Sequence, residues 1–247
     1  FRGMNPDNVK NVRFYKDLQA MSADPQSYIH IHALRHDGVF YPVADKACKL
    51  EFIGDSITSG EGTFGAKQEE DWIPMFFSSL RDYAYLTAKE LDAEYRVFSQ
   101  SGWGVCNTWD NNPNGALPKY YRQICGLMKS DMNEELGGNE NFDFSSWQPD
   151  VIVVNLGTND ASFDQPEWVD DETGKRHKMH KNPDGSYNEE DIAFFRKGVK
   201  DFLYTLRECN PNAQIIWCYG MLGIHFEKPI CQAVYEYVDE TQDGKVS

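Results

Sequence analysis

Four short, mostly apolar runs, separated by stretches of helical periodicity, constrain this 247-residue chain more than any other feature. They are Leu50-Glu51-Phe52-Ile53, Tyr95-Arg96-Val97-Phe98-Ser99, Val151-Ile152-Val153-Val154 and residues 213–219. The third contains no polar residue, which suits a strand buried on both faces. Helices are expected over 72–94, 118–129, 189–209 and 229–240. The 189–209 stretch is the clearest: Ile192, Phe195, Val199, Phe202, Leu203 and Leu206 recur at helical spacing. Strand–helix alternation of this kind predicts an α/β chain with three α/β/α layers around a central parallel sheet. Such sheets bind ligands at the carboxyl ends of their strands. The polar loops at 129–149 and 161–188 are longer than ordinary connections and are candidate site walls.

Residues 1–46 follow a different rhythm. Val12, Phe14 and Lys16 alternate with their neighbours, and so do residues 28–34. Period two over short runs predicts antiparallel strands. Two strands do not make a stable domain. The segment is therefore expected to be an appendage, or the last strands of an incomplete N-terminal domain, followed by a main domain over 47–247.

Charge excludes several functions. Lys and Arg total 24 against 39 Asp and Glu, a formal net charge of −15. Nucleic-acid binding needs clustered cations, and so does an anionic membrane surface. Neither partner is expected. No run reaches the roughly 18 apolar residues of a membrane span, and the first residues lack the pattern of a signal peptide. The six cysteines form no C-x-x-C pair and are read as reduced, buried thiols. There is no N-x-S/T sequon. Together these lean towards a cytoplasmic location, with secretion left open.

The chemistry-bearing residues follow the strands. Gly54-Asp55-Ser56-Ile57-Thr58 closes the first run, placing a hydroxyl at a strand end just before an expected helix. Ser101-Gly102-Trp103-Gly104 closes the second, where glycine lets the backbone approach a ligand. Gly157-Thr158-Asn159-Asp160 closes the third, where Asn159 offers a neutral amide donor of the kind that stabilises an oxyanion. In a parallel sheet these three loops converge. A bare helix N-cap at Ser56 is the plain alternative.

In this order and spacing the G-D-S-I-T, S-G-W-G and G-T-N-D segments resemble the SGNH (GDSL) hydrolase superfamily over residues 49–225, a flavodoxin-like fold. With the strands that precede them they are more specifically similar to carbohydrate esterase family 2. Its members carry an N-terminal β-sandwich, jelly-roll-like, and remove acetyl groups from plant polysaccharides. The resemblance implies Ser56 as nucleophile. It implies an oxyanion hole of the Ser56 N–H, the Gly104 N–H and the Asn159 side chain. Gly104 is chosen over Gly102 by counting from Val97-Phe98. It implies a serine esterase acting through an acetyl-enzyme on acetylated mannan or xylan, without metal or other cofactor. Trp103 and Trp109 flank Gly104; Trp103 is the candidate platform for a sugar face, with a core or wall role the equal alternative for either.

The departure concerns the base. The superfamily's histidine lies in a D-x-x-H or H-P segment near the C-terminus, and none of the six histidines here has that context. The chain is accordingly read as truncated at both ends relative to the family, its base expected after Ser247. His225 follows the fourth run and is the internal substitute to weigh. His177 and His180 could form a metal pair, but their Lys and Arg neighbours favour a solvated basic loop. His30 and His32 suit the polar face of a strand, and 68–71 the charged start of a helix. Gly102-x-Gly104-x-x-Asn107 lacks the third glycine of a dinucleotide site. A lipid-type esterase of the same superfamily, or a carbohydrate-binding protein with a degenerate site, are the alternatives.

Overall fold

β-Branched and aromatic residues in the four runs do form strands, and the sheet they build fixes where the three loops meet. The computed structural model describes residues 3–5, 7–21, 24, 27, 29, 31–66, 72–128 and 130–247. Tyr28, His30, Lys129 and the acidic cluster at 68–71 lie outside the described residues. In chain order the elements are β1 (Lys49–Gly54), α1 (Tyr83–Glu90), β2 (Glu94–Ser99), α2 (Asp131–Glu135), β3 (Val151–Asn155), β4 (Trp168–Val169), β5 (Arg176–His177), α3 (Glu189–Cys209), β6 (Gln214–Trp217) and α4 (Glu227–Thr241).

The central sheet has the order β2-β1-β3-β6, parallel throughout. Phe52 lies between Val97 and Val153, and Val153 beside Ile216. The chain steps outward from β1 to β2, then returns to lay β3 on the other side of β1. The switch point is thus the crevice at the carboxyl ends of β1 and β3, where open α/β sheets bind ligands. Residues 245–247 run parallel alongside β6: Ile215 N–H donates to Lys245 O (2.8 Å) and Trp217 N–H to Ser247 O (2.8 Å).

Alternation along each strand divides the core into two layers. Leu50, Phe52, Val151 and Val153 meet Ala84 and Ala88 of α1. Ile53, Ile152, Val154 and Ile215 meet α3 and α4. Helix α3 buries Phe195, Val199, Phe202, Leu203 and Leu206, each contributing about 2 kcal/mol. Asn188 caps it by accepting from the Glu190 and Asp191 N–H groups. Glu51 is an acidic residue buried against this core. Glu51 accepts from Tyr121 Oη (2.7 Å), whose oxygen accepts from Asn210 Nδ2 (2.8 Å). Burial pushes the Glu51 carboxyl up.

Several expectations are corrected. The helix expected over 72–94 is confined to α1, preceded by one 3-10 turn at Pro74–Phe76. Pro74 lacks an N–H, and the chain stays irregular until Asp82 caps α1. Over 118–129 only the 3-10 turn Leu117–Tyr120 forms. There the Asn133 side chain takes the Cys125 carbonyl (2.9 Å), which a helix would use, and the Met128 carbonyl (3.1 Å). The 129–149 loop bonds to Arg122, Ile124 and Cys125, and through Trp147 to Glu94 at the amino end of β2, so it is no site wall. Cys218 and Cys231 are exposed rather than buried, and all six cysteines are free thiols.

No strand forms among the described residues of 1–46, although Met21 and Asp24 make an isolated bridge. Val12, Phe14, Ile29, Ile31 and Leu34 are exposed. Alternation yields a strand only where a neighbour supplies the ladder, and no described residue does so here. Residues 16, 17, 19 and 20 instead hydrogen-bond to residues after 46. No described helix is long and apolar enough to cross a membrane.

Asp82 supplies a stability prediction. It is 3% exposed, and one carboxylate oxygen has no hydrogen-bond partner. Burial raises its pKa to about 7. A folded-state value above the unfolded one near 4 means stability that is full below about pH 4 and lost as pH rises through about 7. Asn caps a helix as well as Asp and carries no charge. Asp82→Asn should therefore be the more stable protein at pH 8, by about 2 kcal/mol, with the advantage vanishing towards pH 4. Urea unfolding across that range measures it; a pH-independent difference would refute the assignment.

Candidate active site

β1 ends where its backbone can be approached closely. A Cβ on Gly54 would collide with Thr58 Oγ1 and lie 2.8 Å from Asn155 O. Beyond it the chain makes one tight turn: Ser59 N–H donates to Asp55 O (3.0 Å) and Glu61 N–H to Ser56 O (3.1 Å). The helix expected directly after Ser56 is only this turn; the next helix is α1. Thr58 Oγ1 meets Tyr83 Oη (2.9 Å) and Ser59 Oγ donates to Ser99 Oγ (2.8 Å), tying the turn to α1 and β2. Ser56 is partly exposed at the tip, and its hydroxyl makes no hydrogen bond among the described residues.

Asp55, beside it, is fully buried. Its Oδ1 accepts from Ile57 N–H (3.0 Å) and its Oδ2 from Asn159 Nδ2 (3.3 Å). Burial, reinforced by the nearby Asp160, raises its pKa to about 7. Asn159 also donates to Trp103 O (3.0 Å). The loops of β1, β2 and β3 are thus joined through one side-chain amide, as their places in the sheet require.

The two glycines of the second loop differ. Trp103 N–H donates to Gln100 O (3.3 Å), closing a β-turn with Gly102 at its third position and φ +77°. That sign is what a type II turn needs and what glycine supplies. The Gly102 N–H makes no hydrogen bond among the described residues. Gly104 is buried, and a Cβ there would collide with Asp160. The Trp103 carbonyl points at Asn159, so in a planar trans peptide the Gly104 N–H points away from Asn159.

Asp160 underpins this loop. It is fully buried and accepts from Val105 N–H (2.8 Å) and Cys106 N–H (2.7 Å). Burial outweighs these donors and raises its pKa to about 6. Below the loop Asn107 Nδ2 donates to Ser162 Oγ (2.9 Å), which donates to Asn111 Oδ1 (2.7 Å). Asn111 Nδ2 in turn donates to the Ser162 and Pro166 carbonyls (3.0 Å each). The 161–188 loop, with its β4–β5 hairpin, is a wall of this region, as expected.

The aromatics are distributed unevenly. Trp103 is half-buried against Tyr120, ring centroids 5.3 Å apart, and against Gly115. Trp109 is 54% exposed, its ring edge over Gly102. No described histidine hydrogen-bonds to Ser56. His225 Nδ1 meets Tyr187 Oη (2.8 Å), His180 Nδ1 meets Asp191 Oδ2 (2.9 Å) and His177 Nε2 meets Asn107 Oδ1 (3.3 Å). Burial lowers the His177 pKa. His177 and His180 turn to different partners, and no described group of three His, Cys, Asp or Glu is placed to hold a metal ion.

Sequence reasoning took Ser56 and Asn159 from loop position, and the structure brings their loops together. It did not assign roles to Asp55 and Asp160, although both stand inside the segments it quoted. Their signal was an acidic residue in an otherwise small or apolar loop.

Ser56 thus lies on a tight turn at the switch point of a parallel α/β sheet, and its neighbour Asp55 is bonded to a side-chain amide from the loop after the third strand. The profile of the GDSL-like Lipase/Acylhydrolase family matches residues 52–243, and the chain belongs to that family. Among solved structures it is similar to an acetyl xylan esterase from the rumen bacterium Butyrivibrio proteoclasticus. The identity is 52% and the TM-score 0.82, covering 86% of this chain and 57% of that one. It is also similar to a family two carbohydrate esterase from Clostridium thermocellum in complex with cellohexaose. There the identity is 25% and the TM-score 0.63, covering 84% and 55%. A curated relative, the acetylxylan esterase / glucomannan deacetylase of Cellvibrio japonicus, is 31% identical over 195 residues, 78% of this chain and 44% of its own length. The chain thus spans about half the length of each of these proteins.

Proposed function

We propose that this chain is the catalytic part of a serine esterase that removes O-acetyl groups from plant-type polysaccharides such as acetylated xylan or mannan. The observation that carries the reading is the meeting of the Ser56 turn, the Gly102 turn and the Asn159 amide at the carboxyl ends of adjacent strands. Ser56 Oγ attacks the acetyl carbonyl. The oxyanion is received by the Ser56 N–H, the Asn159 amide and a loop N–H. Of the two glycines, Gly102 is the donor we assign, since its N–H is unengaged on an open turn while that of Gly104 faces away from Asn159. The sugar alkoxide leaves with a proton, and water hydrolyses the acetyl-enzyme. On this reading a histidine of the kind the family uses takes the Ser56 proton. His225 is engaged with Tyr187. The exposed Trp109 face offers a sugar more area than Trp103 does.

A lipid-type esterase is the second reading, because Met221, Leu222 and Ile224 are exposed in the loop after β6, at the same end of the sheet. Rates on acetylated xylan and mannan oligosaccharides, set against p-nitrophenyl esters of two to twelve carbons, separate the two. Acetate release from the oligosaccharides should dominate, with rates falling steeply beyond short acyl chains. A preference for long chains would replace the carbohydrate reading with the lipid one.

A further inference from the structure

We propose that residues 17–20 form a strap that positions the oxyanion-binding turn, with Gln19 as the positioning residue; this rests on the esterase reading above. Ser101 N–H donates to Gln19 Oε1 (2.8 Å), and Gln100 Nε2 donates to Ala20 O (3.0 Å). Gln100 and Ser101 are the first two residues of the turn that presents Gly102. The strap therefore grips the residues leading into the 101–102 peptide, whose N–H is the assigned donor.

The same strap reaches the nucleophile side. Asp17 Oδ1 accepts from Ser78 Oγ (3.0 Å), Ser79 Oγ (3.1 Å) and Leu80 N–H (3.1 Å). Ser78 N–H donates to Gly60 O (3.1 Å), at the end of the turn that carries Ser56. Asp17 and Gln19 flank the bend at Leu18, and both side chains bond to the main domain. One short segment thus ties together the supports of nucleophile and oxyanion donor, which lie on different strands.

Gln19 Nε2 is buried without a partner among the described residues. The side chain therefore acts through its oxygen alone, which makes the role testable by exchanging that atom. Gln19→Met keeps the length and removes the acceptor; Gln19→Glu keeps an acceptor oxygen. Oxyanion donors act in the transition state, so a misplaced turn lowers kcat and leaves KM. In the full-length protein, Gln19→Met should lower kcat about 10-fold on an acetyl ester, with KM near wild type and Tm lower by about 2–5 °C. Gln19→Glu should restore most of the loss. Amide exchange at Ser101 should quicken about 10-fold in Gln19→Met, with the sheet amides unchanged. Unchanged kcat and Ser101 exchange would overturn the strap. So would kcat and Tm falling together in both variants, which marks a merely structural contact. Failure of the esterase reading shows separately, as activity surviving Ser56→Ala, and leaves the exchange measurement valid.

Discussion

Ser56→Ala lowers kcat on an acetyl ester by about 10,000-fold or more while the protein keeps its Tm. The size follows from the loss of the proposed nucleophile; what remains is the contribution of the oxyanion donors and of binding. The unchanged stability follows from the site's geometry. Ser56 is partly exposed and its hydroxyl makes no hydrogen bond among the described residues, so no buried partner is orphaned. A surface change of this kind stays within about 0.5 kcal/mol. The Asp55 contacts to Ile57 and Asn159 do not involve the Ser56 side chain and persist in the variant. The measurement is acetate release under saturating substrate, with thermal unfolding of the same samples. More than a tenth of the wild-type rate would remove Ser56 from the chemistry. A large drop in Tm would show that its hydroxyl holds the turn.

Legibility in the sequence followed the range of the interaction. Helix α3 was readable to its ends because its apolar stripe, its Asn188 cap and the residues after Cys209 are all local. The buried strands were readable for the same reason: Val151–Asn155 needs apolar cover on both faces and shows it in its composition. The loops that meet at the site followed from strand order and polar strand ends. What failed depended on partners far along the chain. The alternation of residues 12–16 is that of a strand, yet no described strand lies beside it. Helix content over 118–129 was lost to Asn133, a side chain beyond that window. Counting from Val97-Phe98 gives a loop but not the orientation of its peptides, which Asn159 and Trp103 decide across 56 residues. Gln19 carried no signal at all, since its partner is 82 residues away.

Asp160→Ala should be the most damaging change outside the nucleophile, because this side chain joins stability to catalysis. Its two oxygens take the Val105 and Cys106 N–H groups, which no other described residue accepts. An orphaned buried N–H costs about 1–3 kcal/mol. Two of them, offset by no longer burying a carboxyl group that itself resists ionisation, give a loss of about 3 kcal/mol. The catalytic effect has a separate cause. The carboxylate sits directly against Gly104, where a Cβ would collide with it, so its removal lets the 102–107 backbone sink. A displacement near 1 Å at a catalytic group costs about 100-fold. Well below the Tm, where the variant is still folded, kcat should fall about that much with KM within a few-fold. Asp160→Asn keeps one acceptor but sets its amide N–H₂ against the other backbone N–H, so it should fall between the two. If Asp160→Ala were as stable as the parent, the two N–H groups would have to find water or new partners. If it were destabilised yet kept full kcat, the loop would hold its catalytic peptide without this support, and the oxyanion donor would lie elsewhere than on residues 101–104.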